Sequence, residues 1–216
     1  RKIRYIRLLR QRSRIGETMS VKKVPNILCL IRICLIPFVL LFLLENPISS
    51  ALSVKTRVLV SGIIFGIAML TDAFDGRIAR KYNAITNFGK FIDPIADKML
   101  VISILIAFVE LGLCSCVPVI IVLAREFIVT GLRMAAVSAG KVVAANIWGK
   151  IKTVIQSVSL AATYLIMLVV SITNSDITAI SGAMSPVPNI LVWIVAAVTA
   201  ISAIPYIKEC KDYIKN

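Results

Sequence analysis

LTDAFDGRIARKYNAITNFGKFIDPIADKML, residues 70–100, concentrates negative charge in a chain that otherwise avoids it. Asp72, Asp75, Asp93 and Asp97 all lie here, and the whole chain has only 11 acidic residues. Apolar sequence flanks the stretch on both sides. Carboxylates gathered in such surroundings repel one another and resist ionisation unless a cation compensates. The segment KYNAITNFG, residues 81–89, reads as a turn between two helices, with Asn83, Asn87 and Gly89 as breakers. Asp72 and Asp75 stand three apart and so share a helix face, and Asp93 and Asp97, four apart, do the same. A hairpin folded at residues 84–85 sets Asp72 level with Asp97 and Asp75 nearly level with Asp93. All four carboxylates are then expected to converge between two antiparallel helices.

The residues around them fit a bulky ligand. Gly76 and Ala79 lie on the inward arc of the first helix, and Gly89 lies one turn before Asp93. Small residues there let backbones and a ligand approach closely. Arg80, two turns past Asp72 on roughly the same side, is near enough to grip an anion brought in by a metal. The donors are oxygens only, since the chain has no histidine and its cysteines lie elsewhere. Such a set suits hard divalent cations, Mg2+ or Mn2+ first and Ca2+ next. Four aspartates suffice for two ions at about 3.5–4 Å, the spacing that clamps a phosphoryl centre. The plainer alternative, helix-cap aspartates paired with Lys and Arg, explains one such residue better than four at mirrored depths.

The 216 residues are 58% hydrophobic with a mean hydropathy of +0.90, which excludes an ordinary soluble domain. Apolar runs long enough to span a bilayer recur. Six are read, at about 27–44, 52–71, 92–113, 117–137, 147–172 and 189–207. The expected fold is therefore all-α: a polytopic membrane protein with six transmembrane helices and its active site between helices at the cytoplasmic side. Residues 24–216 form one membrane domain without an internal repeat, preceded by a basic segment, residues 1–23. That segment reads either as a juxtamembrane amphipathic helix on anionic lipid or as an extension upstream of a start at Met19, which the reading favours. It lacks the cleavage site of a signal peptide.

A net charge of +14 raises the possibility of nucleic acid, but its distribution argues against it. Nine basic residues lie in residues 1–23, five around the aspartates, five from Arg125 to Lys152, and three close the chain. The opposite loops carry only Lys55 and Arg57. The positive-inside rule then puts both termini and the aspartate hairpin in the cytoplasm, and six spans require the termini on one side. The five cysteines, Cys29, Cys34, Cys114, Cys116 and Cys210, are scattered and read as free thiols.

Further charges lie inside the spans. Arg32 sits roughly one and a half turns into the first, facing a polar cavity or snorkelling to the surface. The fourth carries AREFIVTGLR, with Arg125 near mid-span, Glu126 beside it and Arg133 two turns on. The fifth opens with GKIKT, where Gly149, Lys152, Thr153 and Gln156 share a face while Lys150 points elsewhere. Arg125, Arg133, Lys150 and Lys152 make a basic pocket whose natural guest is a phosphate. The alternative is structural pairing plus positive-inside charge.

Asp72, Asp75, Gly76, Ala79, Arg80, Gly89, Asp93 and Asp97 spell D-x2-D-G-x2-A-R-x8-G-x3-D-x3-D. This resembles the signature of the CDP-alcohol phosphotransferase family. The resemblance implies a membrane enzyme that moves a phosphatidyl or similar group from a CDP-linked donor to an alcohol and releases CMP. It implies two divalent cations on the four aspartates and CDP held by Asp72, Gly76, Ala79 and Arg80. The residues alone leave Asp93 and Asp97 open as general base; the resemblance assigns Asp97. The segment with Asn26 and Arg32 is similar to the family's opening helix, often PN-x-x-T-x-x-R, with Cys29 where threonine is usual. AREF-x-VTGLR, which includes Thr130, and GK-x-KT look like the bacterial members that join CDP-diacylglycerol to glycerol 3-phosphate. That implies an enzyme of the bacterial cell membrane and, by family habit, a homodimer. Rival readings are a cardiolipin-synthase-type member, an inositol-phosphate or serine enzyme, and a cation transporter with an aspartate-lined path. The last should show broken helices or repeat symmetry, and neither is found.

Overall fold

The structure is a computed structural model. It describes residues 27–82, 87–138, 147–173 and 186–214; within these, the side chains of 72–82, 87–94, 97, 137–138 and 209–214 are outside the description. The described residues form six α-helices: α1 (Ile27–Leu43), α2 (Val54–Tyr82), α3 (Asn87–Glu110), α4 (Cys116–Ser138), α5 (Ile147–Thr173) and α6 (Pro186–Ile214). One 3-10 turn, Ser49–Ala51, joins the α1–α2 connection, and no strand occurs among the described residues. Three helical stretches are long and apolar enough to cross a membrane: Val54–Thr71, Ile147–Thr173 and Pro186–Lys208. α1 is a shorter apolar helix. α4 is long enough but carries Arg125, Glu126 and Arg133, and α3 opens with Lys90, Asp93, Asp97 and Lys98.

The expected turn at 81–89 is shorter than the breakers suggested. α2 runs on through Tyr82, and α3 already begins at Asn87. Asn87 and Gly89 thus fall in the first turn of α3, where a weak helix former costs least.

The chain divides into two compact units. The first comprises Arg1–Leu40 and Ser61–Val101. Here α1 buries Cys29, Arg32, Ile36 and Val39, a three-four spacing that marks one helix face. Ser61 of α2 donates to the Val39 carbonyl at 3.1 Å. That face of α2 continues with buried Phe65 and Ala68, whereas Ile63, Ile67 and Leu70 point outward. An exterior of large apolar side chains is what a bilayer, not water, covers.

The second unit comprises Leu41–Val60 and Ile102–Asn216. Asn46 organises its first connection. Its amide donates to the carbonyls of Leu41 and Leu44, and its Oδ1 accepts from the backbone of Ile48 and Ser49. Ser53 then caps α2, with Oγ 3.3 Å from the Thr56 amide. α3 ends at Gly112, whose φ of 69° a side chain would strain. The amide of Gly112 donates to Val109 and that of Leu113 to Phe108, the paired bonds that close a helix on a left-handed residue. Phe108 and Leu113 are both fully buried beneath it. The Ser115 amide donates to Asn189 Oδ1 at 3.1 Å, tying the next connection to the start of α6. Phe108 packs edge-on against Tyr164 of α5, and α6 packs against both α4 and α5.

Candidate functional site

The basic cluster lies wholly within the second unit, on α4, α5 and α6. Each helix turns a polar stripe inward. On α5 it is Lys152, Gln156, Ser159 and Thr163; on α6 it is Thr199, Ser202 and Tyr206, all buried. Polar residues at three-four spacing in apolar helices are retained where they meet partners. On α4 the partners are Arg125 and Glu126, 9% and 5% exposed.

Arg125 reaches α6. Its Nη2 donates to Ser202 Oγ at 2.8 Å, and the Ser202 hydroxyl in turn donates a hydrogen bond to the Thr199 carbonyl at 2.8 Å. Nη1 lies 3.5 Å from Glu126 Oε1. The same carboxylate oxygen accepts from the Lys152 ammonium of α5. Among the described residues, one carboxylate thus faces two buried cations, an excess of positive charge. Thr130 donates back to the Glu126 carbonyl at 2.7 Å and stays half-buried.

Tyr206 supplies the surface beneath the arginines. The Arg125 guanidinium lies 5.9 Å from its ring centroid and that of Arg133 lies 5.8 Å from it, within reach of cation–π attraction. Arg133 itself is exposed, as is Lys150, whereas Lys152 is buried. The expected shared face of α5 holds for Lys152 and Gln156. Gly149 is half-buried, and Thr153 is exposed, its hydroxyl spent on the Gly149 carbonyl at 3.0 Å. Thr153 departs from the face because it lies a full 100° of helix rotation from Lys152.

Arg125, Glu126, Arg133 and Lys152 are therefore brought together, while Lys150 stands outside on the same helix. Tyr206 and Ser202 are the members that spacing did not reveal. Their only signal is the polar stripe on α6, since Ser202 lies 77 positions from Arg125. In the first unit, Arg32 is buried, 1% exposed. Asp72, Asp75, Gly76, Ala79 and Arg80 lie in α2, and Gly89, Asp93 and Asp97 in α3. Their side chains, and Asn26, lie outside the described residues.

The family model for CDP-alcohol phosphatidyltransferase matches residues 22–202. The chain belongs to the CDP-alcohol phosphatidyltransferase family. Among curated relatives, it is 36% identical over 197 residues to the CDP-diacylglycerol–glycerol-3-phosphate 3-phosphatidyltransferase of Bacillus subtilis (strain 168), covering 89% of this chain and 97% of the relative. It is 37% identical to the enzyme of the same name from Rickettsia typhi, over 89% of this chain and 99% of the relative. A probable phosphatidylglycerophosphate synthase of Mycobacterium tuberculosis (H37Rv) is 39% identical over 146 residues, 68% of each chain. The residues matched to the CDP-alcohol phosphatidyltransferase family include all four aspartates and the α4 and α5 parts of the basic cluster. Ser202 is the last matched residue, and Tyr206 lies beyond it.

Proposed function

We propose that this protein transfers the phosphatidyl group of CDP-diacylglycerol to the C1 hydroxyl of glycerol 3-phosphate, forming phosphatidylglycerol phosphate and releasing CMP. The observation that carries the acceptor assignment is the buried positive cluster of Arg125, Glu126 and Lys152 with Arg133 beside it. A phosphomonoester brings the charge this cluster lacks, and arginine grips it through paired N–H groups. The reaction named for relatives matched over nearly their whole length agrees with it.

The donor half rests on the aspartates. Counted along α2, the buried positions 58, 61, 65 and 68 continue at the same spacing to 72, 75 and 79. Along α3, the buried positions 108, 104 and 100 continue back to 97 and 93. This register and an all-oxygen donor set suit divalent cations. Asp72, Asp75, Asp93 and Asp97 would hold two Mg2+ or Mn2+ ions, which when bound neutralise charge on the donor diphosphate. Asp72, Gly76, Ala79 and Arg80 hold the nucleotide. Arg125, Arg133, Lys150 and Lys152 hold the acceptor's phosphate and so orient its hydroxyl. Asp97 takes the hydroxyl proton as the oxygen bonds to the lipid phosphorus and the bond to CMP breaks. Asn26, Arg32, Gly89 and Thr130 are supporting positions. All six helices cross the bacterial cell membrane in this reading, with both termini and the reacting groups on the cytoplasmic side, in a homodimer.

An acceptor panel tests it. Purified protein with Mg2+ and CDP-diacylglycerol releases CMP with glycerol 3-phosphate and not with phosphatidylglycerol, inositol phosphate or serine. Release with phosphatidylglycerol alone would replace this reading with the cardiolipin-synthase type.

A further inference from the structure

We infer that Tyr206 is a positioning residue for the acceptor phosphate: its ring is the shelf on which Arg125 and Arg133 are set, and Gly149 is the gap that lets it stand there. The inference rests on the phosphatidyl-transfer reading and extends it to a residue past the family-matched stretch.

Two guanidiniums gathered to bind one phosphate repel each other until the phosphate arrives. An aromatic face offsets this, because its quadrupole attracts both cations without taking up their N–H donors. Arg125 and Arg133 lie two turns apart on α4, and both stand within 6 Å of the same ring centroid. The ring is fixed in place. Tyr206 is 3% exposed and packs with Val129, Ala136 and Ala203, against which Leu132 also lies. A rigid shelf sets where the two N–H forks point; a flexible aliphatic residue does not.

Gly149 explains how the ring fits. A Cβ built there would meet the Tyr206 hydroxyl oxygen at 3.0 Å and Cζ at 3.9 Å. Any side chain at 149 must push the ring by a few tenths of an ångström. Packed with Val129 and Ala136, the ring passes that displacement to the arginines. The GKIKT glycine is thus coupled to a tyrosine on another helix.

Steady-state kinetics of purified wild type, Tyr206→Leu, Tyr206→Phe, Gly149→Ala and Gly149→Ala/Tyr206→Phe test the coupling. Tyr206→Leu raises KM for glycerol 3-phosphate about tenfold and leaves KM for CDP-diacylglycerol within about twofold. Tyr206→Phe keeps the ring and stays within about threefold of wild type for both. Gly149→Ala raises KM for glycerol 3-phosphate, and adding Tyr206→Phe brings it back, because the offending oxygen is gone. The shelf is overturned if Tyr206→Leu raises both KM values alike, if it moves neither, or if the Gly149 and Tyr206 effects simply add. Should Tyr206→Leu fail to fold, the Gly149→Ala pair decides alone. A wild type that does not turn over glycerol 3-phosphate overturns the reaction itself and the shelf with it; turnover with an unmoved acceptor KM overturns the shelf only.

Discussion

Lys152 on α5 donates its ammonium to the carboxylate of Glu126 on α4, and both side chains are more than nine-tenths buried. The pair has a consequence for stability. Removing one member of a buried ion pair leaves the other charge uncompensated, at a cost of about 3–5 kcal/mol. Glu126→Gln is therefore expected to lower the thermal midpoint of the detergent-solubilised protein sharply. Glu126→Gln combined with Lys152→Met should recover part of the loss, the remainder being the cost of leaving buried Arg125 without its carboxylate. Equal destabilisation by the single and double variants would mean that the pair is not what these residues contribute.

Arg133 has no such internal duty. It is exposed and touches only the Tyr206 ring among the contacts described. Arg133→Ala should leave folding intact and raise KM for glycerol 3-phosphate by about 10- to 100-fold, the worth of a charged hydrogen bond. KM for CDP-diacylglycerol should hardly move. Initial rates at varied concentrations of each substrate check this split.

Gly112 closes α3 with a positive φ of 69°. Gly112→Ala forces a Cβ into the left-handed region at a cost of about 1–2 kcal/mol. Since the residue lies in neither cluster, the expected result is a lower unfolding midpoint with unchanged KM values for both substrates.

The α3–α4 connection offers a test of topology. Cys116 is exposed and Cys114 buried. Burial, and then the neighbouring Cys116, push the Cys114 thiol up to about 11. At pH 8 Cys114 stays protonated and poorly nucleophilic. With the other cysteines replaced, a membrane-impermeant maleimide added to intact cells should label Cys116 and spare Cys114. Labelling of Cys116 only after permeabilisation would invert the assigned orientation.

The helices were legible because apolar runs and their charged interruptions survive any packing. α5, for example, begins at the expected residue, Ile147. The ends were less so: Asn87 and Gly89 read as breakers, yet the first turn of α3 accommodates both. The basic cluster was legible as a set of charges but not as a structure. The sequence set Glu126 beside Arg125, with Arg133 two turns on. Glu126 takes Lys152 as well, and Arg133 turns to Tyr206. Contacts between α4 and α6 arise from tertiary packing over 77 positions, a separation at which periodicity carries no information.

The proposed reaction requires that Asp72, Asp75, Asp93 and Asp97 form one divalent-cation site that holds a CDP-linked donor. Mn2+ binding, followed by electron paramagnetic resonance on the purified protein with and without CDP, tests it most directly. The expected result is two Mn2+ per chain in the presence of CDP, and loss of both the ions and CDP binding in Asp72→Asn/Asp93→Asn. A double variant that binds Mn2+ and CDP as the wild type does would contradict it.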